Sequence, residues 1–349
     1  MQKIDENIRA RHHAAYRGSS REIPLNVFPP LLPHEISLWE AANHPEKALE
    51  RGLHLLEGRR GVVADWIPVI ANPYGDILVP DLFGARITEV PGLNSKPMCY
   101  SCVDSLDKAL EHPPVTLDTP WVDQARKTLS FLAEQTPDDV YILTPSMYCP
   151  LDFALNMRGG DFLMEMLLEP GKAMDFLMLL TDLTIRLILD FKRLLGEPEK
   201  EMVTIRGHCF PGIRLASDSM VNLSPQMIEE FMFPALERFA ETLGPVLVHC
   251  CTEPSEAGHV FSTVEKCPVV LGFDSWQGVE FHQQRGWLQR PRKISIAADF
   301  AAEQWPRKEE LESLCPVGAH VNGGRGVLLS TLTSSARMAA DIVDAWQLS

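Results

Sequence analysis

His249 and Cys251 are the residues of this 349-residue chain whose types and spacing are best suited to chemistry. An imidazole nitrogen and a thiolate sulfur are both ligands that Zn2+ prefers in proteins. If the apolar run 245–251 is a strand, its side chains alternate between two faces, so His249 and Cys251 share one face and Cys250 points to the other. A catalytic zinc site needs a third protein ligand. The candidates for it are Cys315, His208 and Cys209, among which the sequence makes no choice.

Other polar side chains also stand at or beyond the ends of short apolar runs. They are Asp76, Asn156, Arg158, His208, Asp218, Asp274 and Arg325. Carboxylates and imidazoles at such positions can serve acid–base chemistry, and an arginine can clamp a carboxylate or a phosphate. Any one of them can equally be a helix cap or a solvated loop residue. Their meaning therefore depends on whether the fold brings them together.

The elements that must position these residues alternate between short apolar runs and longer helical periods. The predicted strands are 23–28, 62–70, 140–144, 202–207, 213–216, 245–251, 269–274, 293–299 and 318–323. The predicted helices are 121–135, 161–195, 224–243, 255–266, 303–314 and 333–346. Several of the runs are nearly continuous in apolar residues, as in parallel strands that are buried on both faces. Ser224-Pro225 is a helix start signal and Gly244-Pro245 is a matching stop.

This alternation favours a closed (β/α)8 barrel, although periodicity alone also permits an open doubly wound sheet. We predict an α/β protein with one domain over residues 1–349, in which 1–33 form an N-terminal extension leading into the barrel. Reacting groups of such barrels cluster at the carboxyl ends of the strands. The candidate residues named above are expected at that end.

Composition and charge exclude several classes of function. The net charge of −15 makes nucleic acid and anionic membrane surfaces poor partners. The most apolar region, 173–195, is interrupted by charged residues, so we expect no membrane span. Residues 1–11 are charged with no apolar stretch behind them, which predicts a chain without a secretory leader. Eight cysteines in such a chain favour free thiols and a cytoplasmic location.

Five ordered stretches resemble the uroporphyrinogen decarboxylase superfamily. Residues 222–234 (NLSPQMIEEFMFP) resemble its ISPE-x-F-x-EF-x-x-P motif, and 246–251 (VLVHCC) resemble its VVLHxCG strand. Residues 74–80 (YGDILVP) are similar to FSDIL-x-P, and 155–163 (LNMRGGDFL) are similar to LYLRGGEDFL. Residues 324–327 (GRGV) stand where the superfamily has GHG or GCG. The resemblance implies a uroporphyrinogen decarboxylase-like TIM barrel.

Two chemistries are known in this superfamily. Its decarboxylases remove acetate carboxyl groups from a tetrapyrrole without a cofactor, and Asp76 matches the aspartate that contacts the pyrrole nitrogens. Its cobamide-dependent methyltransferases use zinc, held by His-X-Cys and a later Cys, to activate a thiol that accepts a methyl group from a methylcorrinoid. His249 and Cys251 match the first two of those ligands. The resemblance also implies a corrinoid protein as a partner and a homodimer.

In two places this chain departs from the motifs of the decarboxylases or of the zinc methyltransferases. The arginine-rich RQAGRY loop of the decarboxylases is missing from 15–24, which resembles the entry of the methyltransferase-like members. Arg325 replaces the His of the decarboxylases and the Cys of the zinc enzymes, and an arginine neither ligates zinc nor acts as a base. Three hypotheses therefore stand: a zinc-assisted, corrinoid-linked methyltransferase, a decarboxylase of a tetrapyrrole or smaller substrate, and a non-catalytic barrel that binds a corrinoid or porphyrin.

The roles that these hypotheses assign can be stated residue by residue. Asp76, Asp218 and Arg325 would act on the substrate. Asn156, Arg158, His208 and Asp274 would bind it. His249 and Cys251 would hold the metal. The methyltransferase is the hypothesis that we carry forward.

Overall fold

The computed structural model describes residues 4–19, 24–28, 35–57, 65–91, 95–250, 258–278, 293–299, 327–332, 337–339 and 341–342. The helices there are α1 (Glu6–Arg17), α2 (Leu38–Asn43), α3 (Pro45–Glu57), α4 (Leu78–Leu82), α5 (Leu106–Glu111), α6 (Pro120–Gln135), α7 (Pro150–Arg158), α8 (Asp161–Leu168), α9 (Pro170–Leu195), α10 (Pro225–Met227), α11 (Phe233–Leu243) and α12 (Gly258–Val264). A 3-10 helix covers Asp218–Asn222, and a π-helical turn (Ile228–Met232) joins α10 to α11.

The strands are β1 (Leu25–Phe28), β2 (Val69–Ile70), β3 (Ile87–Val90), β4 (Lys96–Cys99), β5 (Tyr141–Ile142), β6 (Met202–Val203), β7 (Cys209–Phe210), β8 (Ile213–Ala216), β9 (Val246–His249), β10 (Val270–Gly278), β11 (Ser295–Asp299) and β12 (Val327–Leu332). Six of them form a parallel sheet in the order β1-β12-β11-β10-β9-β8, and β2 and β5 form a second parallel pair. The first strand lies beside the last, and Tyr148 bridges to Ala216 at the end of β8. The predicted parallel α/β architecture is confirmed, whereas complete closure of a barrel and a single domain over 1–349 stay predictions.

The helix signals in the sequence are confirmed. The Ser224 hydroxyl accepts a hydrogen bond from the amide of Met227 at 3.2 Å, with Pro225 as the first helical residue. Gly244 ends α11 with φ of 82°, in the left-handed region that favours glycine. The predicted helix 161–195 is divided in two, because Pro170 begins a new helix directly after α8.

The prediction of one long strand at 202–207 was wrong. That segment forms only β6, which turns back antiparallel onto β7 before β8 joins the main sheet. Gly207 makes the turn possible, since its φ is 69° and a Cβ there would lie 2.5 Å from the carbonyl oxygen of Ile67. The predicted strand 318–323 lies outside the described residues, and β12 follows it in sequence.

Helix α1 packs against the end of the main sheet at which its strands begin. Tyr16 at the end of α1 is fully buried against Leu247 and Leu328, near the amino-terminal ends of β9 and β12. The hydroxyl of Ser295, the first residue of β11, donates a hydrogen bond to the carbonyl oxygen of Tyr16 at 2.7 Å. Helix α1 therefore covers the amino-terminal edge, and the candidate residues lie toward the carboxyl edge.

The main core lies between the sheet and the surrounding helices. It includes the outward-facing strand residues Leu215, Val248 and Cys250 together with much of α9. None of the helices that the structure describes is both long enough and apolar enough to cross a membrane. The six cysteines within the described residues are free thiols.

Candidate functional site

The register of three neighbouring strands, β8, β9 and β10, brings the candidate residues to one face. Ala216 of β8 lies opposite His249 of β9, and His249 lies opposite Asp274 of β10. Directly opposed residues of parallel strands point to the same side of a sheet. Arg214, two residues before Ala216, shares that side. The buried Cys250 belongs to the core on the other side, as the alternation predicted.

Four side chains, here called the inner cluster, form one buried network: Arg206, Arg214, His249 and Asp274. The Asp274 carboxylate lies 2.7 Å from Arg206 Nη1 through Oδ1 and 2.7 Å from Arg214 Nε through Oδ2. The same Oδ2 is 3.2 Å from His249 Nδ1. Asp274 is 2% exposed and His249 5%. Both oxygens of Asp274 are therefore engaged within the protein.

The neighbours of Asp274 and His249 in the inner cluster determine the protonation states of these two side chains. Burial alone would raise the pKa of Asp274, but Arg206, Arg214 and His249 outweigh that penalty and hold the pKa well below its usual range. Burial lowers the pKa of His249, the positive charge of Arg214 lowers it further, and Asp274 opposes both. The carboxylate is therefore ionised at neutral pH and the imidazole is neutral.

A second set of side chains, here called the rim group, stands just beyond the strand ends: Asp76, Tyr148 and Asp218. Burial raises the pKa of the Tyr148 phenol, and the negative charges of Asp76 and Asp218 raise it further. Asp218 also acts electrostatically on His249. The fold thus brings the predicted residues Asp76, Asp218, His249 and Asp274 into one electrostatically connected region.

Close backbone contact positions Asp76 beside Tyr148. A Cβ on Gly75 would lie 1.9 Å from the carbonyl oxygen of Ser146, so only glycine permits this approach of the two segments. Ser146 also accepts a hydrogen bond from Arg214 Nη1 at 3.0 Å, which links the segment to the inner cluster. Lys96 of β4 lies 3.1 Å from the Asp76 carboxylate.

Asp152, at the start of α7, is a buried carboxylate beside the rim group. It accepts hydrogen bonds from the Ser217 hydroxyl and the Ser219 amide, each at 3.0 Å. Burial raises its pKa to about 7 and outweighs those two hydrogen bonds, which lower it. Asp152 therefore exchanges a proton near neutral pH.

Two predicted substrate-binding residues lie away from this region, whereas a third, His208, is electrostatically coupled to Arg206 and Asp274 of the inner cluster. Asn156 is exposed on α7, and the Arg158 guanidinium is paired with Asp161 and Glu165 at 3.0 Å each. His208 lies in the β6–β7 turn, buried with its ring 5.3 Å from that of His12 on α1. Its expected position depended on the strand 202–207, which the structure replaces with a hairpin.

Three further predicted residues, Cys251, Arg325 and Cys315, lie outside the described residues. Arg325 was expected after the last strand, but β12 begins after it in sequence. Cys209 lies at the amino-terminal edge, where it meets His13 and Glu201. Among the residues that the structure describes, Cys209, His13 and Glu201 form the one group of three side chains whose metal-ligating atoms lie close together.

Sequence reasoning missed Arg206, Arg214, Tyr148 and Asp152. Arg214 gave a signal, since it is the charged residue of the otherwise apolar strand Ile213–Ala216. A buried charge requires a partner of opposite sign, which indicates a polar interior on that face. Arg206 gave no such signal, because it lies in a turn, where side chains follow no hydrophobic periodicity, and it pairs with Asp274 from there.

Comparison with known proteins gives the fold independently. No protein-family model and no curated protein sequence matches the chain. A solved structure of a methyltransferase from Methanosarcina mazei superimposes with a TM-score of 0.62 over 98% of both chains, at 15% sequence identity. At this identity the likeness shows a shared fold.

Proposed function

We propose that this protein is a zinc-assisted methyltransferase that moves a methyl group from a methylcorrinoid to a thiol, within a closed barrel of the uroporphyrinogen decarboxylase type. The observation that carries the proposal is the pairing of His249 with Asp274 at the carboxyl end of β9. The fold shared with the Methanosarcina mazei methyltransferase and the His-X-Cys spacing support it.

The described residues fit a metal ligand at position 249. Metal-binding histidines usually donate their second ring N–H to a carboxylate, which fixes the tautomer and the orientation of the ring. With Nδ1 of His249 toward Asp274, Nε2 is the nitrogen that would coordinate zinc. The lowered pKa of His249 keeps the ring neutral, as a ligand must be.

His249 and Cys251 would hold the zinc together with a third ligand, for which Cys315 and His208 are candidates. When bound, zinc lowers the pKa of a coordinated thiol and so supplies the nucleophile at neutral pH. In the transfer the thiol loses its proton to solvent and its sulfur bonds the methyl carbon, while the donor's cobalt–carbon bond breaks and leaves its electron pair on cobalt. Asp274 orients His249, and Arg206 and Arg214 hold Asp274 ionised.

The rim group would bind the methyl donor. Asp76, Tyr148 and Asp218 offer carboxylate and phenol oxygens that can accept hydrogen bonds from the amide groups of a corrinoid. Asp152, with a pKa of about 7, would exchange protons with this region. These roles assign Asp274 to positioning, because both of its oxygens are engaged within the inner cluster.

The test combines zinc analysis with turnover. The purified protein is incubated with methylcobalamin and a panel of small thiols, and demethylation is followed by the change in corrinoid absorbance. Cys251→Ala should lose one equivalent of zinc and the activity, whereas Cys250→Ala, the adjacent thiol on the other face, should keep both. Zinc content that is equal in the two variants would contradict the proposal.

The same protein distinguishes the other hypotheses. Release of CO2 from a carboxylated tetrapyrrole, without demethylation of methylcobalamin, would show a decarboxylase. Tight tetrapyrrole binding without either reaction would show a non-catalytic barrel. Each of these results would overturn the proposal that the protein is a methyltransferase.

A further inference from the structure

A second group of metal-ligating side chains lies where α1 packs against the β6–β7 hairpin. It comprises His13 on α1, Glu201 just before β6 and Cys209 at the start of β7, and is here called the base cluster. Its ligand atoms all lie within 4.8 Å of one another. His13 Nε2 is 3.2 Å from Glu201 Oε2 and 3.5 Å from Cys209 Sγ.

These separations match the edges of a tetrahedron around zinc. With bonds of about 2.0–2.1 Å to nitrogen or oxygen and about 2.3 Å to sulfur, tetrahedral geometry places nitrogen and oxygen about 3.3 Å apart, and nitrogen and sulfur about 3.5 Å apart. An ion could therefore enter the base cluster without a change in the two distances from His13 Nε2. A thiolate, an imidazole and a carboxylate are also the donor types that zinc takes in proteins.

The surroundings prepare two of the ligands. Burial opposes ionisation of Glu201, but His13 and Arg9 outweigh it and lower its pKa, so the carboxylate is charged. Arg9 Nε lies 3.3 Å from Oε1, which leaves Oε2 directed at His13. The Cys209 amide donates to His12 Nδ1 at 3.1 Å, so two consecutive residues of α1 hold Cys209 in position.

The thiol is the ligand that needs the ion. Burial raises the pKa of Cys209 and the negative charge of Glu201 raises it further, against a smaller opposing effect of Arg9. Without a cation the thiol stays protonated, and a bound divalent ion would displace that proton. Cys209 is fully buried, whereas the His13 side chain is 20% exposed, so the cluster opens to solvent on the His13 side.

We propose that His13, Glu201 and Cys209 bind Zn2+, with water as the fourth ligand. The ion joins α1 to the β6–β7 hairpin and so fastens the helix that covers the amino-terminal edge of the sheet. It links residues that are far apart in sequence, the arrangement in which a metal clip restricts the unfolded chain most. This site is independent of the zinc proposed at His249 and Cys251.

Cobalt titration of the full chain tests the base cluster separately. In a Cys251→Ala/Cys315→Ala background, which removes both candidate active-site thiolates, Co2+ should bind at one equivalent with a thiolate-to-cobalt charge-transfer band and should raise Tm. Adding Cys209→Ser should abolish the band and the rise in Tm. Adding Cys99→Ser, a half-buried thiol outside both sites, should leave both unchanged.

Two results would overturn the inference: no thiolate–cobalt band in the Cys251→Ala/Cys315→Ala protein, or a band that persists when Cys209→Ser is added to it. His13→Gln, at a partly exposed position, serves if Cys209→Ser does not fold, and it should weaken cobalt binding at least tenfold. The active-site proposal is judged separately by the zinc lost from Cys251→Ala in a chain with Cys209 intact. Either proposal can therefore fail while the other stands.

Discussion

The inner cluster and the base cluster both draw on the β6–β7 hairpin, through Arg206 and Cys209, but they are assembled differently. Three members of the inner cluster come from neighbouring strands in register, with two guanidinium groups around one carboxylate. The base cluster joins three segments that are distant in sequence, and it combines a carboxylate with a protonated thiol and an imidazole. The inner cluster is thus charged and fixed in the absence of a metal, whereas the base cluster reaches its full ligand set only with one.

The largest expected effect comes from breaking the inner cluster. Asp274→Asn leaves Arg206 and Arg214 buried without their counter-charge, which should lower the free energy of unfolding by about 3–5 kcal/mol. Urea denaturation measures this. Asp161→Asn is the control, since it removes an exposed partner of Arg158 and should cost under about 1 kcal/mol. Equal effects of the two substitutions would show that the network does not stabilise the fold.

The region around the base cluster should lose stability in acid, because His12 is buried there as a neutral ring. Burial lowers the pKa of His12 to about 4, against about 6.5 in the unfolded chain. Between those values the unfolded state binds more protons, so stability falls as pH falls, by about 2 kcal/mol from pH 7 to pH 5. His12→Gln should remove this part of the pH dependence, and the exposed His112→Gln should not. A slope unchanged by His12→Gln would contradict the assignment.

The carboxyl edge should respond in the opposite direction, and by less over the interval from pH 6 to pH 8. The pKa of Asp152 is raised to about 7, so between about 4 and 7 the folded state binds more protons than the unfolded state. Its contribution to stability therefore falls as pH rises, by about 1 kcal/mol between pH 6 and pH 8. Asp152→Asn should flatten the unfolding free energy over that interval. The control Asp138→Asn, at an exposed position, should leave the pH dependence of the unfolding free energy as in the wild type. An equal flattening in this control would refute the prediction.

The sequence predicted the part of the site that strand periodicity controls. His249 and Asp274 end apolar runs, and parallel register converts that position into proximity. It predicted Asp76 and Asp218 for the same reason. It assigned His208 to the end of a long strand, whereas the residue lies in the β6–β7 turn, because an apolar run alone does not distinguish a strand that continues from one that turns at Gly207.

The remaining contacts depend on packing between distant segments. Arg206 reaches Asp274 from a turn, and His13 meets Cys209 across nearly 200 residues of chain. Neither contact leaves a periodic or spacing signal in the sequence. Helix α1 lies in the region that was expected to be an extension, and its fit over the strand starts through Tyr16 follows from the shape of the assembled sheet.

A crystal structure of the zinc-loaded protein, measured at the zinc absorption edge, tests the central claim most directly. The account predicts an anomalous peak about 2.1 Å from Nε2 of His249 and bonded to the sulfur of Cys251, with Nδ1 still on Asp274. Fully loaded protein with no peak at His249, or with Nδ1 rather than Nε2 toward the metal, would contradict it.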